Sequence, residues 1–436
     1  MRTSRLVYVP DPSIELAKLA GRSPERMSTP IIQVRTRHLD DPGNLLALLP
    51  SGDAVSWVRN GEGMVGWGIA ASLEVSGTER FSRAQRWWSR FCAQSSIDDT
   101  VSMPGTGPVA FASFAFDPEP GRSIIIVPRV LIGRRKGQSW ITVIGSDGDP
   151  RHELRATSVP QSPVNVQWTD GSQSSDEWKR SVEEAIARIN HNELDKVVLA
   201  RDVYGKAEGS IDSRSVLSAL ASAYPSCWTF NVSGLIGATP ELLVRRTGDL
   251  VTSRVLAGTV RSQGDETADA NLAQALLASG KDLAEHEYAV RSVARALAAH
   301  CTDLDVPERP HVLQLANVQH LATDVTGRLA DDVPVLALAA LLHPTAAVCG
   351  TPTERALATI RELEGMDRGR YAGPVGWIDA QGDGEFGIAL RCAEIDQEAG
   401  TIRAFAGCGI VAGSDSTQEL AESNAKLVPI REALRQ

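Results

Sequence analysis

The chain has 436 residues, of which 42% are hydrophobic and 22% are charged, and its formal net charge is −10 at pH 7. These proportions are typical of a globular protein with a sizeable core. The negative charge argues against nucleic acid or an anionic membrane surface as the main partner, so an anionic ligand would require a local group of cations. The first residues contain no sustained apolar run, and no stretch reaches the length of a membrane span. We therefore expect no membrane association and a location in the cytoplasm.

The six cysteines are widely scattered, without a CxxC pair or a histidine at metal-binding spacing. In a cytoplasmic protein such cysteines are expected to be reduced thiols, mostly in the core. A zinc site is therefore not expected.

The first 165 residues or so are predicted to form strands and hairpins with few helices. Segments 54–58 and 64–69 flank Asn60-Gly61, a dipeptide that favours a tight hairpin turn. A helix is predicted at 80–94, and residues 109–116 form an apolar run typical of a buried strand.

A polar connection then leads into a long predicted helix, whose start has the capping-box residues Ser174 and Glu177. The β-branched segment 194–201 predicts a strand that carries Lys196.

Segments 228–232 and 235–245 predict a hairpin whose second strand is interrupted near Glu241. Helices are predicted at 267–279 and 281–299. This mixture of antiparallel strand signals and grouped helices favours an α+β fold over a series of βαβ units.

Residues 407–426, GCGIVAGSDSTQELAESNAK, combine a predicted glycine-rich turn with a helix that carries carboxylates. Glycines such as Gly407 let backbone amides approach a ligand closely. Along the helix, Glu419, Glu422 and Lys426 share one face because they lie three and four residues apart. The segment is therefore either part of an anion and metal site or a solvated helix face with an ordinary ion pair.

Two charged residues interrupt apolar strands. Lys196 lies within an apolar strand, where burial would suit it to act as a base. Glu241 follows a proline inside the apolar run ATPELLV, where shielding from water would keep it protonated and suit it to act as a general acid. The alternative for each residue is a side chain that points to solvent.

Further acidic residues occur on the helix that begins KDLAEHEYAV, where Asp282 and Glu285 share a face. Together with the carboxylates of residues 407–426 they would form an oxygen-rich pocket suited to Mg²⁺, although acidic helix faces are usually only solvated. His286 and His320 could be ligands or hydrogen-bonding residues, and from the residues alone a hydrogen-bonded core histidine is the favoured interpretation for each.

Cationic and hydroxyl side chains also occur next to glycines or strand ends, namely Arg391, Tyr371 and Lys426. An arginine in such a position can bind a carboxylate through two hydrogen bonds, or it can form a structural salt bridge.

These motifs together resemble the chorismate-utilising enzymes, which include isochorismate, salicylate, anthranilate and aminodeoxychorismate synthases. The resemblance covers residues 175–435 and is carried by DKVVLAR, GATPELLV, LAGTVR, KDLAEHEYAV, NVQHL, LHPTAAVCGTP, RGRYAGPVGW, GEFGIALRC and GCGIVAGSDSTQELAESNAKL. It implies a single large α+β (α/β) domain of two packed antiparallel β-sheets with helices outside, the aminodeoxychorismate synthase fold. Residues 1–165 would be a strand-rich, weakly recognisable part of this fold, and residues 166–436 the chorismate-binding catalytic part.

The resemblance also implies roles for particular residues. Lys196 would activate water and Glu241 would protonate the departing hydroxyl. Mg²⁺ would be held by Glu285 and Glu422, with Glu419 and Asp282 nearby or acting through water; several branches carry glutamate at the position of Asp282. The residues expected to contact the substrate are Gly258, Thr259, His320, Ala347, Tyr371, Arg391, Gly407 and Lys426.

With Lys196, the chain resembles the members of the family that add water, because members that add ammonia lack a lysine at this position. Ala347 resembles isochorismate synthases, since salicylate synthases tend to carry threonine there, although the residue types of Leu390 and Tyr371 occur in both. The resemblance therefore implies a Mg²⁺-dependent, reversible isochorismate synthase, a monomer without a glutaminase partner, that serves menaquinone or siderophore biosynthesis. The alternatives are a salicylate synthase, an ammonia-using subunit, and an inactive chorismate- or metal-binding protein.

Overall fold

A computed structural model describes residues 32–146, 148–154, 157–161, 165–315 and 318–435, except for the side chains of Arg261, Lys281 and Glu285. The described residues form the following α-helices: α1 (Arg80–Ala93), α2 (Ser175–Asn190), α3 (Ser213–Ala223), α4 (Glu266–Ala278), α5 (Gly280–Ala298), α6 (Val335–Leu342), α7 (Thr353–Leu363) and α8 (Ser416–Ala433). Short 3-10 helices occur at Leu45–Leu48 and Pro150–Glu153. Of the helices described, none combines the length and the apolar character needed to cross a bilayer.

The strands are β1 (Ile32–Leu39), β2 (Ala54–Arg59), β3 (Glu62–Val75), β4 (Ser95–Asp99), β5 (Val109–Ser113), β6 (Ser123–Arg135), β7 (Gln138–Ile144), β8 (Val166–Asp170), β9 (Lys196–Ala207), β10 (Trp228–Val232), β11 (Leu235–Thr239), β12 (Leu242–Thr247), β13 (Leu250–Arg261), β14 (Cys301–Asp305), β15 (His311–Gln314), β16 (Val318–Leu329), β17 (Gly350–Thr351), β18 (Pro374–Asp379), β19 (Gly384–Ile388), β20 (Cys392–Asp396) and β21 (Thr401–Ile410).

The strands form two sheets that are joined at β6. The first sheet runs in the order β8-β9-β21-β20-β11-β10-β2-β3-β6-β7-β1-β4, with the short β17 also paired to β9. The second sheet continues from β6 through β5-β18-β19-β12-β13-β16, and both β14 and β15 pair with β16. Pairing is antiparallel except between β1 and β4. The expected fold of two antiparallel sheets with helices is therefore confirmed, with the addition that the sheets share a strand.

The main apolar core contains side chains from both sheets, for example Phe230 of β10 and Phe386 of β19, both fully buried. Burying large aromatic side chains between two sheets is a strong contribution to stability. On the outside of the sheets, α5 packs on β13 and β16, and α8 packs on β21. The helices that carry the acidic residues are thereby fixed against strands of both sheets.

Several local predictions are confirmed. The hairpin at Asn60-Gly61 joins β2 to β3. The capping box is present at the start of α2, where the Ser174 hydroxyl accepts from the backbone N–H of Glu177 and the Glu177 carboxylate accepts from that of Ser174. All six cysteines are free thiols, as expected.

The interpretation of Gly407 as part of a turn is wrong. Gly407 lies inside β21, which stays paired with β9 as far as Ile410. The turn comes later, and Asp415 caps α8 by accepting from the backbone N–H groups of Thr417 and Gln418. Small residues in β21 have low strand propensity, but pairing within the sheet overrides it.

Candidate active site

Residues from both sheets and from α5 and α8 line one cavity of about 280 Å³. Its wall includes residues of β9 and β21 from the first sheet and of β13 from the second sheet. Residues just before β12 and just before β20 also line it. A larger groove of about 810 Å³ lies elsewhere and is lined by none of the residues expected to be functional. Size therefore does not identify the site, whereas its convergence of charged side chains does.

Lys196 and Glu241 are both buried in the wall of this cavity. Lys196 is the first residue of β9, pairs with Thr351 of β17 and is 4% exposed. Glu241 lies in the link between β11 and β12 and is 5% exposed. The solvent-exposed alternative for these two residues is therefore excluded.

Burial raises the pKa of Glu241 to about 8. The positive charges of Arg391, Lys196 and Lys426 act in the opposite direction but do not cancel the effect of burial. The carboxyl group is therefore protonated at neutral pH, which is the form that can donate a proton.

Two cations face the same space. Lys426 of α8 forms an ion pair with Glu422, with 2.6 Å between Nζ and Oε1, and it donates to the carbonyl oxygen of Gly407 at 2.8 Å. Although burial disfavours its ammonium form, Glu422 keeps the pKa of Lys426 above its usual value. Arg391 forms no ion pair with any carboxylate that the structure describes. The Arg391 guanidinium thus remains available for an anionic ligand.

The backbone at two points of the cavity wall has unusual torsions. Arg391 and Ala372 have φ values of +49° and +61°, in the left-handed region that residues with a Cβ rarely adopt. Such torsions cost about 1–3 kcal/mol each and are concentrated at functional sites. The surrounding structure therefore stabilises an unfavourable backbone conformation at Arg391 and Ala372.

His320 of β16 lies opposite Thr259 of β13, and its Nδ1 is 2.9 Å from the Thr259 hydroxyl oxygen. Burial and the charges of Arg391 and Lys426 hold the pKa of His320 well below its usual value, so the ring is neutral. The sheet bulges at Gly258, whose φ is +78° and where a Cβ would lie 3.1 Å from the Cβ of Asp282.

Three described carboxylates reach the cavity from two helices. Glu419 and Glu422 project from α8, and Asp282 projects from the first turn of α5, where it accepts a hydrogen bond from Ser279. The thiol of Cys408 has its sulfur within 4.8 Å of carboxylate oxygens of Glu419 and Glu422. Burial raises the pKa of Cys408 well above its usual value, so it stays a thiol that donates to the carbonyl oxygen of Glu419 at 3.3 Å.

This donor set fits a hard divalent cation. Mg²⁺ is bound in proteins through one or two carboxylates together with substrate oxygens and water. Glu419 and Glu422 supply oxygen ligands and Cys408 alone supplies sulfur, so this described group suits magnesium better than zinc. Glu419 and Glu422, with Asp282 across the cavity, are therefore the described residues that could hold Mg²⁺.

Known proteins resemble this chain over most of its length. The sequence profile of the family described as "Chorismate binding enzyme" matches residues 50–435. The chain belongs to the chorismate-binding enzyme family. The match spans nearly all of the described residues, so it includes strands of both sheets.

Relatives in the chorismate-binding enzyme family cover most of the chain. A protein of Pseudomonas aeruginosa named salicylate biosynthesis isochorismate synthase is 34% identical over 400 residues, which are 84% of this chain and 82% of that protein. The isochorismate synthase MenF of Bacillus subtilis is 31% identical over 402 residues, 85% of each chain. The solved structure of MenF, the menaquinone-specific isochorismate synthase of Escherichia coli, superposes with a TM-score of 0.77 at 26% identity, covering 97% of this chain and 98% of that one.

The structure of this family member brings the predicted site residues together. The following residues all line the cavity of about 280 Å³: Lys196, Glu241, Gly258, Thr259, Asp282, His320, Ala347, Tyr371, Arg391, Gly407, Glu419, Glu422 and Lys426. Glu285 belongs to α5, but its side chain lies outside the described residues. His286 is a hydrogen-bonded core residue as interpreted, because its Nε2 is 2.7 Å from the Thr323 hydroxyl oxygen.

One buried ion pair at this site was not predicted. Arg368 lines the cavity and donates to both oxygens of Glu364 as well as to the carbonyl oxygens of Val198 and Val348 at 2.8 Å each. Glu364 in turn accepts from the backbone N–H of Ala200 at 2.7 Å. The pair thus ties β9 to the segment that carries Ala347. The i,i+4 spacing of Glu364 and Arg368 was the available signal in the sequence.

Proposed function

We propose that this protein is a Mg²⁺-dependent isochorismate synthase, which reversibly converts chorismate to isochorismate by adding water at C2 and releasing the C4 hydroxyl. The observation that carries the proposal is the burial of Lys196 and Glu241 in one cavity, where Glu241 is held protonated. A base and an acid on the same cavity are what an exchange of hydroxyl groups requires. The names of the relatives in Pseudomonas aeruginosa, Bacillus subtilis and Escherichia coli support it.

In the forward direction Lys196 takes a proton from the water whose oxygen bonds to C2. The ring double bonds shift, the C4–O bond breaks, and Glu241 gives its proton to the departing hydroxyl, which leaves as water. One water enters and one leaves, so the reaction is a net isomerisation. Before the next turnover Lys196 releases the proton that it took up, and Glu241 regains a proton in place of the one that it gave, both by exchange with solvent.

Arg391, Lys426 and Tyr371 bind the carboxylates of the substrate, beside the backbone of Gly407. A dianion in this position compensates the positive charge of Arg391, which no described carboxylate pairs with. Glu285, Glu419, Glu422 and Asp282 are the residues proposed to hold Mg²⁺ directly or through water. When bound, Mg²⁺ supplies positive charge that fixes a substrate carboxylate.

Replacing Gly407 with alanine is expected to raise KM for chorismate about tenfold or more, since 1.4 kcal/mol of lost binding corresponds to a factor of ten. The new Cβ would lie 3.1 Å from the Leu199 carbonyl oxygen and 3.2 Å from the Tyr371 hydroxyl oxygen, so Tyr371 must move. Steady-state kinetics measures the change. Gly413→Ala is the matched control because a Cβ there meets nothing within 4 Å. An unchanged KM in the Gly407 variant would contradict the proposed carboxylate position.

The pH dependence of the forward reaction is expected to follow Glu241, whose folded-state pKa is raised to about 8. The protonated form is the active one, so kcat/KM is retained below this value and is lost as the pH rises through it. Since kcat/KM reports the free enzyme, the fall should be centred near the pKa of the unliganded protein. A profile that stays level well above this pKa would show that Glu241 is not the acid.

Incubation with chorismate and Mg²⁺, followed by chromatography, tests the function. We expect isochorismate as the product, and its amount should level off when it reaches equilibrium with chorismate. Salicylate and pyruvate as the main products would overturn the proposal in favour of a salicylate synthase. The products of Ala347→Thr would show whether this position controls the elimination of pyruvate. An amino product in the presence of ammonium would indicate an ammonia-using subunit with a glutaminase partner, and no conversion would indicate a binding protein. We propose a monomer without such a partner, in the cytoplasm.

A further inference from the structure

A second, much smaller cavity lies directly behind the proposed acid. Its volume is about 10 Å³, and it shares Glu241 and Ala347 with the wall of the main cavity. Its other polar lining residues are Thr345, Ser253 and Arg254, and its apolar lining residues include Val255 and Val293. A cavity of about 10–15 Å³ can hold one water molecule if two to four polar groups surround it.

Three of these polar groups have unused hydrogen-bonding capacity. The Thr345 hydroxyl is buried, at 5% exposure, and has no hydrogen-bond partner among the described residues. Ser253, at 1% exposure, makes only a long contact of 3.5 Å with the carbonyl oxygen of Leu242. The carboxyl group of Glu241 makes no hydrogen bond with a described residue either. Buried polar groups are almost always hydrogen-bonded, so the unpartnered Thr345 hydroxyl points to a bound water in this space, which Ser253 and Glu241 also line.

We propose that Thr345, with Ser253, holds one water molecule against the carboxyl group of Glu241, and that Thr345 is thereby a positioning residue for the acid. This inference rests on the proposed function, because it concerns the residue that protonates the departing hydroxyl. A protonated carboxyl group has one O–H to donate and one carbonyl oxygen that accepts. The water donates to the carbonyl oxygen from behind, which leaves the O–H directed into the main cavity.

The charged groups around Glu241 divide between its two sides. On the side of the main cavity Lys196, Arg391 and Lys426 exert positive charge on it. On the other side Arg254 lines the small cavity but is engaged by Asp324, with 2.7 Å between Nε and Oδ1. The neutral water is therefore the group that orients the carboxyl from behind, and its hydrogen bond also stabilises the carboxylate left after proton transfer.

The test compares Thr345→Val, which removes the hydroxyl but keeps the branched shape, with Thr345→Ser, which keeps the hydroxyl. Thr345→Val is expected to lower kcat about tenfold, a part of the 10²–10⁴ that a general acid provides, with KM for chorismate unchanged. The alkaline limb of its pH profile should move to higher pH, because the carboxylate loses a hydrogen bond. Thr345→Ser should restore both. The control is Thr229→Val, since Thr229 is equally buried and its hydroxyl also has no partner among the described residues, but it lines neither cavity.

A high-resolution crystal structure provides a readout that does not depend on activity. Density for one water between Thr345, Ser253 and Glu241 is expected in the wild-type protein and not in Thr345→Val. A cavity without this water, or a Thr345→Val enzyme with wild-type kcat and pH profile, would overturn the inference while leaving the proposed function intact. Failure of the wild-type protein to make isochorismate would instead refute the function, whatever the density shows.

Discussion

Replacing Lys196 with alanine is expected to lower kcat for isochorismate formation by about 10²- to 10⁴-fold, the contribution typical of a general base. The reason is that Lys196 is a buried amine in the wall of the cavity that Glu241 also lines, and it is proposed to take the proton from water. Chorismate binding in the presence of Mg²⁺ should be largely retained, because the substrate carboxylates are assigned to Arg391 and Lys426 rather than to Lys196.

Turnover is measured by chromatography and binding by calorimetry in the presence of Mg²⁺. Lys196→Met serves as a second variant, since it keeps most of the volume of a buried side chain and separates loss of the amine from formation of a hole. The matched control is Lys206→Ala on the same strand, where the exposed amine donates to the carbonyl oxygen of Ala399. Near-normal turnover in Lys196→Met would refute the role of Lys196 as base.

The sequence was sufficient to identify the individual chemical groups of this site. Lys196 and Glu241 are each anomalous within an apolar segment, and the i,i+3 and i,i+4 spacings of α8 predict that Glu419, Glu422 and Lys426 share a face. These signals are local, because strand and helix periodicity determine which residues lie on one face. The resemblance to a family then supplied what local patterns do not contain, namely that the groups face one another.

The remaining features depend on pairing between distant segments. Gly407 lies within β21 because its partner is Ala200 of β9, which no pattern in residues 407–426 indicates. The hydroxyls of Thr345 and Ser253 are 92 positions apart in the chain and meet only where the link after α6 packs on β13. Threonine and serine are common in both loops and strands, so neither residue is anomalous in sequence. The missing partner of Thr345 and the long contact of Ser253 become visible only in the folded structure.

Replacing Glu422 with glutamine is expected to weaken Mg²⁺ binding by about tenfold or more and to raise KM for chorismate in parallel, since changes even in residues that only support metal ligands cost 10–100-fold. Two effects act in the same direction. The variant removes one of the two carboxylates that α8 contributes to the cavity, and a neutral amide is a weaker ligand for a hard cation. It also removes the ion pair with Lys426, whose pKa Glu422 raises, so the orientation of a substrate-binding cation changes as well.

Calorimetric titration with Mg²⁺, and kinetics at several Mg²⁺ concentrations, measure the two effects. Glu432→Gln, on the exposed side of α8, is the control for a change of charge on this helix and should leave both quantities unchanged. Cys408→Ala distinguishes the ligands, because sulfur is a soft ligand that Mg²⁺ does not prefer, so its loss should leave the Mg²⁺ affinity unchanged. Unchanged Mg²⁺ affinity in Glu422→Gln would place the metal away from the carboxylates of α8, and the site would then have to be sought nearer Asp282. A marked loss of affinity in Cys408→Ala would instead show that the sulfur takes part in the metal site.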